Sequence, residues 1–512
     1  MDDLTAPTGR EPQLRAAARP DGSAPRALVL GATGYIGGRL VPRLLAAGYR
    51  VRVLARDPAR VSVFRWGEQV EVVAGDAADD AAVRAAVADV DVLYYLVHSM
   101  GAGKGFESAD RRAAETVAAA AFSASVGRII YLGGLHPDDD LSPHLRSRVE
   151  VGRILLASGV PTLVLQAGVV IGSGSASFEM IRHLTDVLPY MPAPRWVRNR
   201  IQPIAVRDVL HYLLGAARIP ATVNRAVDIG GPDVLRYGQM MNAYAQVAGL
   251  RQRAIAALPV LTPRLASHWV NLVTPIPRAV ARPLVESLQN ECIVKDRAVD
   301  ALIPPPADGL TPYAHAVALA LSREKEDTIE TSWRDSDVVG VPSDPLPSDP
   351  DWAGRTVFVD QRTARTDASP AALWRVVEGI GGSNGWYSAP LLWAIRGWMD
   401  RLVGGIGLAR GRRSRARLAV GDALDFWRVE ALEPGVLLRL RAEMKVPGLA
   451  WLELRVTADG AGARYDQRAL FFPRGLAGRL YWLAVLPFHG FIFRGMAERI
   501  AAAADAHVDS SG

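Results

Sequence analysis

Three glycines at intervals of three residues stand near the start of the chain. Gly31, Gly34 and Gly37 lie between an apolar run and a helical pattern, in the sequence VLGATGYIGG. In such a set the first glycine allows a tight turn, the second lets the backbone approach a pyrophosphate, and the third lets the helix lie close to the strand. The N-terminus of that helix offers unpaired N–H groups to phosphates. The spacing therefore predicts a dinucleotide-binding turn. Its predicted contact residues are Gly31, Thr33, Gly34, Tyr35, Ile36 and Gly37.

The residue that follows the second predicted strand bears on which dinucleotide is bound. Sites selective for NAD usually carry an acidic residue there, which binds the ribose hydroxyls of adenosine. This chain has Arg56 at that position, where a guanidinium can pair with a 2′-phosphate, and Asp57 comes one position late. A solvated surface arginine is the alternative. Asp76, after the third predicted strand, is expected either to contact the adenine or to form a plain turn. We expect NADP as the cofactor, with NAD as the alternative.

These residues need a scaffold, and strand-like and helix-like segments alternate from residue 26 to about residue 159. Nearly continuous apolar runs are typical of parallel strands that are buried on both faces. They lie at 27–30, 51–54, 70–73, 90–97 and 128–132. Helical patterns lie at 36–48, 108–124 and 142–157. The last helix opens with Ser142-Pro143, which is typical of an N-cap followed by proline. This order predicts a doubly wound parallel sheet, an α/β Rossmann fold.

Several stretches resemble the short-chain dehydrogenase/reductase (SDR) superfamily. They are GATGYIGGRL, VRVLARDP, AGD, DVLYYLVHSM, RIIYLGGL, SRVEVGRILLASGV and, at 202–209, QPIAVRDV. Within the superfamily the chain is similar to the atypical NmrA-like branch, which includes the Rossmann-type accessory subunit of respiratory complex I. The resemblance covers about residues 26–322. It implies that Leu96, Val97 and His98 pass near the nicotinamide ribose of the cofactor.

The chain departs from the catalytic pattern of that superfamily. Members that transfer a hydride generally use a Tyr-x-x-x-Lys pair and a Ser or Thr, and the tyrosine exchanges a proton with the substrate oxygen. The resemblance places His144 and Arg148 at the positions of the pair. It places Gly133-Gly134 where the hydroxyl residue is expected.

Two interpretations of this departure remain open. In the first, His144 acts as an acid near neutral pH and Arg148 holds the ribose. Further side chains that could help are Tyr94, Tyr95, His98 and Ser99. In the second, His144 only occupies the first turn of a helix, Arg148 contacts a phosphate or solvent, and no proton is transferred. We prefer the second, because three departures occur together.

Other motifs are weaker. The loop at 136–140 lacks the ordered spacing of a metal site, so no metal is expected. The segment at 101–105 fails as a P-loop, because Lys104 is followed by Gly105 rather than by Ser or Thr. Cys292 is the only cysteine, so no internal disulfide forms. It has no identifiable neighbouring base, and we expect a buried structural thiol.

A linker divides the chain. The sequence VPSDPLPSDPD is typical of a linker, and eight of the twelve tryptophans lie beyond it. The predicted domains are a disordered tail at 1–25, a Rossmann domain at 26–330 with a substrate-side segment from about 168, a linker at 331–352, an α+β helix-grip domain at 353–506 and a tail at 507–512.

The last third resembles the helix-grip fold of START-like and polyketide-cyclase-like proteins. Strands are predicted at 356–363, 423–430, 436–444, 450–456 and 463–472, a helix opens at Ser369-Pro370, and a long apolar helix spans about 476–503. The resemblance implies an apolar cavity beside the last helix. Pro487 and His489 interrupt that helix, so a core helix is preferred to a membrane-surface helix, and a transmembrane span is not expected. Core packing without any ligand is the alternative.

Composition and net charge limit the cellular locations and the classes of binding partner that are expected. Hydrophobic residues make up 49% and charged residues 22% of 512, which is typical of globular proteins. The net charge of +6 arises in 351–512, and no recognised motif for nucleic acid accompanies it, so no nucleic-acid partner is expected. The five arginines at 410–417 form either a solvated loop or a contact with anionic lipid. The first 25 residues do not resemble a signal peptide, and we expect a cytoplasmic bacterial protein with peripheral membrane contact as an addition.

These observations lead to two functional hypotheses. In the first, the chain is an NADP(H)-dependent oxidoreductase of atypical SDR type, and its substrate is an apolar molecule such as a quinone, an enone or a lipid. In the second, it is a non-catalytic NADPH-binding sensor or scaffold. The departure from the catalytic pattern favours the second, and the separate candidate domain for an apolar ligand favours the first.

Overall fold

The computed structural model describes most of the chain. The described residues are 16, 18–97, 105–137, 141–258, 285–286, 289–322, 356–381, 385–387, 418–444 and 446–509. Two compact units divide the chain, Met1–Gly354 and Arg355–Gly512. Several predictions fall outside the described residues: His98 and Ser99, the segment 101–104, the linker at 331–352 and the arginines at 410–417.

The strands and helices of the first unit follow the predicted alternation. The strands are β1 (Arg26–Leu30), β2 (Arg50–Ala55), β3 (Glu71–Ala74), β4 (Val92–Tyr95), β5 (Arg128–Gly134), β6 (Thr162–Ala167), β7 (Val170–Ile171), β8 (Tyr190–Pro194), β9 (Arg200–Ile201), β10 (Ile204–Ala205), β11 (Arg225–Ile229), β12 (Leu235–Arg236) and β13 (Ala254–Leu258). The helices are α1 (Tyr35–Ala46), α2 (Ala59–Ser62), α3 (Asp80–Val87), α4 (Phe106–Ser123), α5 (Pro143–Leu156), α6 (Ala176–Val187), α7 (Val206–Ala216), α8 (Tyr237–Val247) and α9 (Tyr313–Ser322).

Seven strands form one sheet in the order β11-β6-β5-β4-β1-β2-β3, and every neighbouring pair is parallel. The central strand β1 is buried on both faces. Ala27 and Val29 lie in one hydrophobic core, and Leu28 and Leu30 lie in another. This double burial explains why the strand reads as a continuous apolar run rather than an alternating one. The predicted Rossmann fold is confirmed.

Local capping sets where α5 begins. Ser142 is the N-cap residue, and its side-chain oxygen accepts a hydrogen bond from the backbone N–H of Leu145 at 3.3 Å. Pro143 follows at the first helical position, where its missing N–H costs little. These two residues therefore fix the start of the helix that carries His144 and Arg148.

Part of the predicted disordered tail is ordered. Arg19 forms ion pairs with Asp89 at 2.8 Å and with Asp91 at 2.7 Å. The backbone N–H of Ala16 donates to the carbonyl oxygen of Ala47. The prediction of disorder is therefore wrong for these residues, because contacts with residues distant in the sequence hold them.

The second unit is an α+β domain. Its elements are β14 (Phe358–Thr366), α10 (Pro370–Glu378), β15 (Ala423–Leu424), β16 (Trp427–Glu433), β17 (Leu437–Ala442), β18 (Gly448–Asp459), β19 (Gly462–Pro473) and α11 (Gly475–Asp509). The six strands form an antiparallel sheet in the order β14-β19-β18-β17-β16-β15. Helix α11 packs against β14 and β19. The predicted single strand at 423–430 is wrong, because Asp425 adopts a φ of +54° and turns the chain between β15 and β16.

Helix α11 has two different sides. Trp482 and Phe493 are buried, whereas Leu480 and Leu483 are exposed. Among the described residues, the part of α11 at Gly475–Ala506 is long and apolar enough to cross a membrane by length and composition. The helix also continues to Asp509, so the predicted tail at 507–512 begins later than expected.

Candidate dinucleotide site

Gly31 and Gly37 are required by the packing of the turn between β1 and α1. Gly31 has a φ of +84°, and a Cβ atom there would lie 2.7 Å from the carbonyl oxygen of Leu96. A Cβ atom on Gly37 would overlap the carbonyl oxygen of Gly31. The first glycine therefore lets the turn approach the end of β4, and the third lets α1 approach the turn.

Gly34 differs from the other two glycines. It is the exposed N-cap residue of α1, and its N–H donates to the carbonyl oxygen of Gly31 at 3.0 Å. Among the described residues, a Cβ atom on Gly34 would contact only that oxygen, at 3.2 Å. Packing thus requires glycine here less than at Gly31 or Gly37, and the space beside Gly34 suits a pyrophosphate.

The N-terminus of α1 can accept an anion. In the described structure no side chain caps it, and its first turn contains no acidic residue. Its N–H groups and the positive end of the helix dipole are therefore available to a phosphate. The other predicted contact residues, Thr33, Tyr35 and Ile36, lie half-buried around this end.

Sequence reasoning missed Arg39, which holds this end of α1 in place. Its guanidinium lies 4.2 Å from the centre of the Tyr35 ring and donates to the carbonyl oxygen of Ser173 at 3.1 Å. A Cβ atom on Gly172 would lie 2.6 Å from the Tyr35 hydroxyl oxygen. Residues 172 and 173 follow β7, so the glycine turn and the start of α1 are held against the segment after β7. The i, i+4 spacing of Tyr35 and Arg39 was the available signal.

Arg56 and Asp76 lie side by side after β2 and β3. The Arg56 side chain is 81% exposed, and its Nε atom lies 3.9 Å from Oδ2 of Asp76. Asp57 is engaged locally, because its Oδ1 atom accepts a hydrogen bond from the N–H of Ala59 at the start of α2. Asp57 therefore begins the next turn, as the sequence suggested, and Arg56 is the cation that faces solvent at the end of β2.

The end of β4 adjoins the glycine turn. Leu96 and Val97 are half-buried, and the N–H of Leu96 donates to the carbonyl oxygen of Leu30 at 3.0 Å. Together with the approach of Gly31 to Leu96, this hydrogen bond brings both segments to the carboxyl edge of the sheet. Dinucleotides bind at this edge in doubly wound folds.

His144 and Arg148 lie on α5 but have different surroundings. His144 is 8% exposed in the first turn of the helix. The Nη2 atom of Arg148 donates to the carbonyl oxygen of Leu132 on β5 at 2.7 Å. Gly134 is one of the two glycines that stand where the family pattern has a hydroxyl residue. A Cβ atom on Gly134 would lie 3.2 Å from the side chain of Leu145. Arg148 therefore ties α5 to β5.

Tyr94 and Tyr95 do not face this edge. Both side chains are at most 1% exposed, and they lie in two different hydrophobic cores. The Tyr94 hydroxyl donates to the carbonyl oxygen of Leu213. Burial raises the pKa of both phenols. The suggestion that they help a proton transfer is wrong, because alternation along β4 directs both into the cores.

His136 was considered only as a metal ligand, yet it belongs to the carboxyl edge. Its Nδ1 atom lies 2.8 Å from the carbonyl oxygen of Pro137, and its Nε2 atom lies 2.9 Å from Nε2 of Gln166. Both ring nitrogens of His136 therefore have a described hydrogen-bond partner. Because His136 lies two residues after the end of β5, its place in the sequence could have predicted that it belongs to this edge. In the described part of the chain no group of three or more potential metal ligands is present.

Cys292 is buried near the same edge. It is 7% exposed, and its thiol lies 3.5 Å from the carbonyl oxygen of Leu135. Burial raises the pKa of the thiol to about 11. The thiol is therefore protonated and unreactive at neutral pH.

Two family models match the chain. Residues 31–158, which contain the glycine turn, His144 and Arg148, match a family described as NAD(P)H-binding. Residues 352–496 match a family described as proteins of unknown function (DUF2867). A nicotinamide dinucleotide is thus the cofactor class of the first unit.

Individual proteins are similar to part of this chain. A ceramide reductase of Caulobacter vibrioides is 27% identical over 234 residues, which are 44% of this chain and 72% of the relative. The triphenylmethane reductase of Citrobacter sp., solved with NADP(H), is 16% identical with a TM-score of 0.46, and the match covers 57% of this chain and 100% of that one. An NADPH-dependent quinone oxidoreductase of Escherichia coli is 17% identical with a TM-score of 0.46, over 57% and 98% of the two chains.

Proposed function

We propose that this protein is an NADPH-dependent reductase of the NmrA-like SDR type whose substrate is a lipid with a reducible carbonyl group. The observation that carries the proposal is the turn between β1 and α1. Gly34 leaves space beside a helix N-terminus that no described side chain caps. An anion is the ligand that such an N-terminus stabilises.

The preference for NADPH rests on the end of β2. Arg56 is exposed and can turn from Asp76 toward a phosphate, whereas Asp57 is occupied by the backbone of α2. A guanidinium that pairs with a 2′-phosphate favours NADPH over NADH.

The lipid substrate is supported by similarity to the ceramide reductase and by the second unit. That relative is 27% identical to this chain over 234 residues. The antiparallel sheet and apolar helix α11 make the second unit a suitable holder for an acyl chain, as the START-like resemblance implies. We therefore assign cofactor binding to the first unit and lipid binding to the second.

The chemistry needs one hydride and one proton. NADPH, when bound, supplies a hydride to the carbonyl carbon and leaves as NADP⁺, and the resulting oxyanion takes a proton. His144 is the described titratable side chain at the position of the family's tyrosine, so we assign the proton donation to its ring. Arg148 positions α5 through its bond to Leu132.

A second function, a non-catalytic NADPH sensor, is favoured by one observation. Tyr and Lys of the catalytic pair are replaced by His144 and Arg148, and the described hydrogen bond of Arg148 is to the backbone of β5. In that case the cofactor site is retained without a proton donor.

One experiment separates the two functions. The protein is incubated with NADPH that is deuterated at the transferable position and with a bacterial lipid extract, and the products are searched for deuterium by mass spectrometry. Labelled lipid that requires the protein supports the reductase. Unlabelled products, with NADPH binding measured in the same sample, contradict it and favour the sensor. The matched variant His144→Phe is expected to bind NADPH and to give no label.

A further inference from the structure

One side of helix α11, here called the outer face, is apolar and exposed. Its central residues are Leu476, Leu480 and Leu483, and the exposed side chains of Leu486 and Phe488 lie at its two borders. Leu480 and Leu483 are 57% and 61% exposed. Leu449, which is 49% exposed, adds to the same end of the unit, since Gly478 of α11 packs against Pro447 just before it. A contiguous exposed apolar face of this kind marks an interaction site.

The opposite side of α11 is fixed to the sheet of its own unit. The Trp482 ring stacks on Phe358 and on Phe471, with ring centres 5.3 Å and 5.8 Å apart. Phe493 is 4% exposed in the core. A helix held in this way cannot cross a bilayer without losing those contacts. It can lie in the plane of a membrane surface with only its outer face inserted.

The chain around the outer face carries more positive than negative charge. From Gln467 to Ala497 it contains four arginines and no Asp or Glu, and one of the four, Arg468, is buried. Arg474 and Arg479 flank Leu476, and Arg479 also donates a hydrogen bond to Thr356 at 3.0 Å. Arg494 follows the exposed residues and pairs with Glu498. Long arginine side chains at the border of an apolar face suit anionic headgroups. Two copies of this chain that paired through the same face would bring these arginines together, so a second copy fits less well.

We propose that the outer face of α11 docks on an anionic lipid bilayer, with the leucines in the acyl region and the arginines at the headgroups. The docking goes beyond the proposed reductase activity and does not depend on it. It places the second unit at the surface from which a lipid substrate can be taken up.

Co-sedimentation with vesicles tests the proposal. The full-length protein is expected to sediment with phosphatidylcholine vesicles that contain phosphatidylglycerol, and to sediment much less with phosphatidylcholine alone. Leu480→Asp with Leu483→Asp is expected to lower the partition coefficient about tenfold or more, since two apolar side chains no longer enter the membrane. The matched control is Val420→Asp with Val436→Asp, because both are exposed apolar residues of the same unit outside α11. NADPH binding and circular dichroism report on folding.

A fluorescent label gives a second measurement. Cys292 is the only cysteine and is buried, so a polarity-sensitive dye on Leu483→Cys reports on the outer face alone. Its emission is expected to shift to shorter wavelength with anionic vesicles, and a dye on Val420→Cys is expected not to shift.

Three outcomes would overturn the proposal. They are unchanged sedimentation of the double variant, no shift of the label at residue 483, and a concentration-dependent dimer that the same substitutions dissolve while vesicle binding is absent. Loss of hydride transfer with retained vesicle binding would contradict only the reductase.

Discussion

The Nε atom of Arg56 lies 3.9 Å from Oδ2 of Asp76, and the two side chains are 81% and 51% exposed. An exposed ion pair of this kind contributes little to stability, because water screens it and both side chains lose freedom. Arg56 can therefore exchange its partner for a phosphate at small cost. The pair marks the adenosine end of the candidate dinucleotide site.

Substitution of Arg56 tests the preference for NADPH. In Arg56→Ala the Kd for NADPH is expected to rise about 10- to 100-fold, since a hydrogen bond between charged groups contributes about 1.5–3 kcal/mol. The Kd for NADH is expected to stay nearly constant. Isothermal titration calorimetry with both cofactors measures the effect, and Arg60→Ala is the control because Arg60 is also exposed. Equal losses for the two cofactors would remove the phosphate role.

The two glycines at either end of the first turn of α1 should respond differently to alanine. Gly37→Ala is expected to lower the free energy of unfolding by about 1–3 kcal/mol, because its Cβ overlaps the backbone of Gly31. Gly34→Ala is expected to lower it by less than about 1 kcal/mol and to weaken NADPH binding. Urea denaturation and cofactor titration separate the two effects. A Gly34→Ala protein with full affinity for NADPH would argue against a pyrophosphate at this turn.

Two histidines near the carboxyl edge can be compared as proton donors. His144→Phe is expected to reduce kcat about 100-fold or more without changing the Kd for NADPH, as loss of a general acid does. His136→Phe is expected to retain most of the turnover, because both nitrogens of the His136 ring are already hydrogen-bonded within the protein. The reverse ranking would transfer the role to His136.

Alkylation of the thiol tests the burial of Cys292. Its pKa is raised to about 11, so the thiol form persists as pH rises until that value is approached. At pH 8 only about one thiol in a thousand is ionised. Iodoacetamide is expected to leave the native protein unmodified and to modify it in guanidinium chloride, as followed by mass spectrometry. Rapid reaction of the native protein at pH 8 would show that the site opens.

The sequence predicted the features that depend on contacts within a few residues. The spacing of Gly31 and Gly37 and the pair Ser142-Pro143 specified a turn and a helix start, since the required contacts lie within a few residues. The contact of Arg39 with Ser173 joins positions 134 residues apart, and no local pattern contains it. The apolar run of β4 likewise predicted a buried strand, but it did not indicate that both of its tyrosines would point into the cores.

The approach of Gly31 to Leu96 has a consequence for redesign. Because Gly31 and Gly37 tolerate no added Cβ atom, these two positions cannot be varied to choose between cofactors. The corner formed by Arg56 and Asp76 is exposed and makes few contacts with the rest of the described chain. Substitution of Arg56 and Asp76 is therefore the way to change the preference between NADPH and NADH while the glycines of the turn stay unchanged.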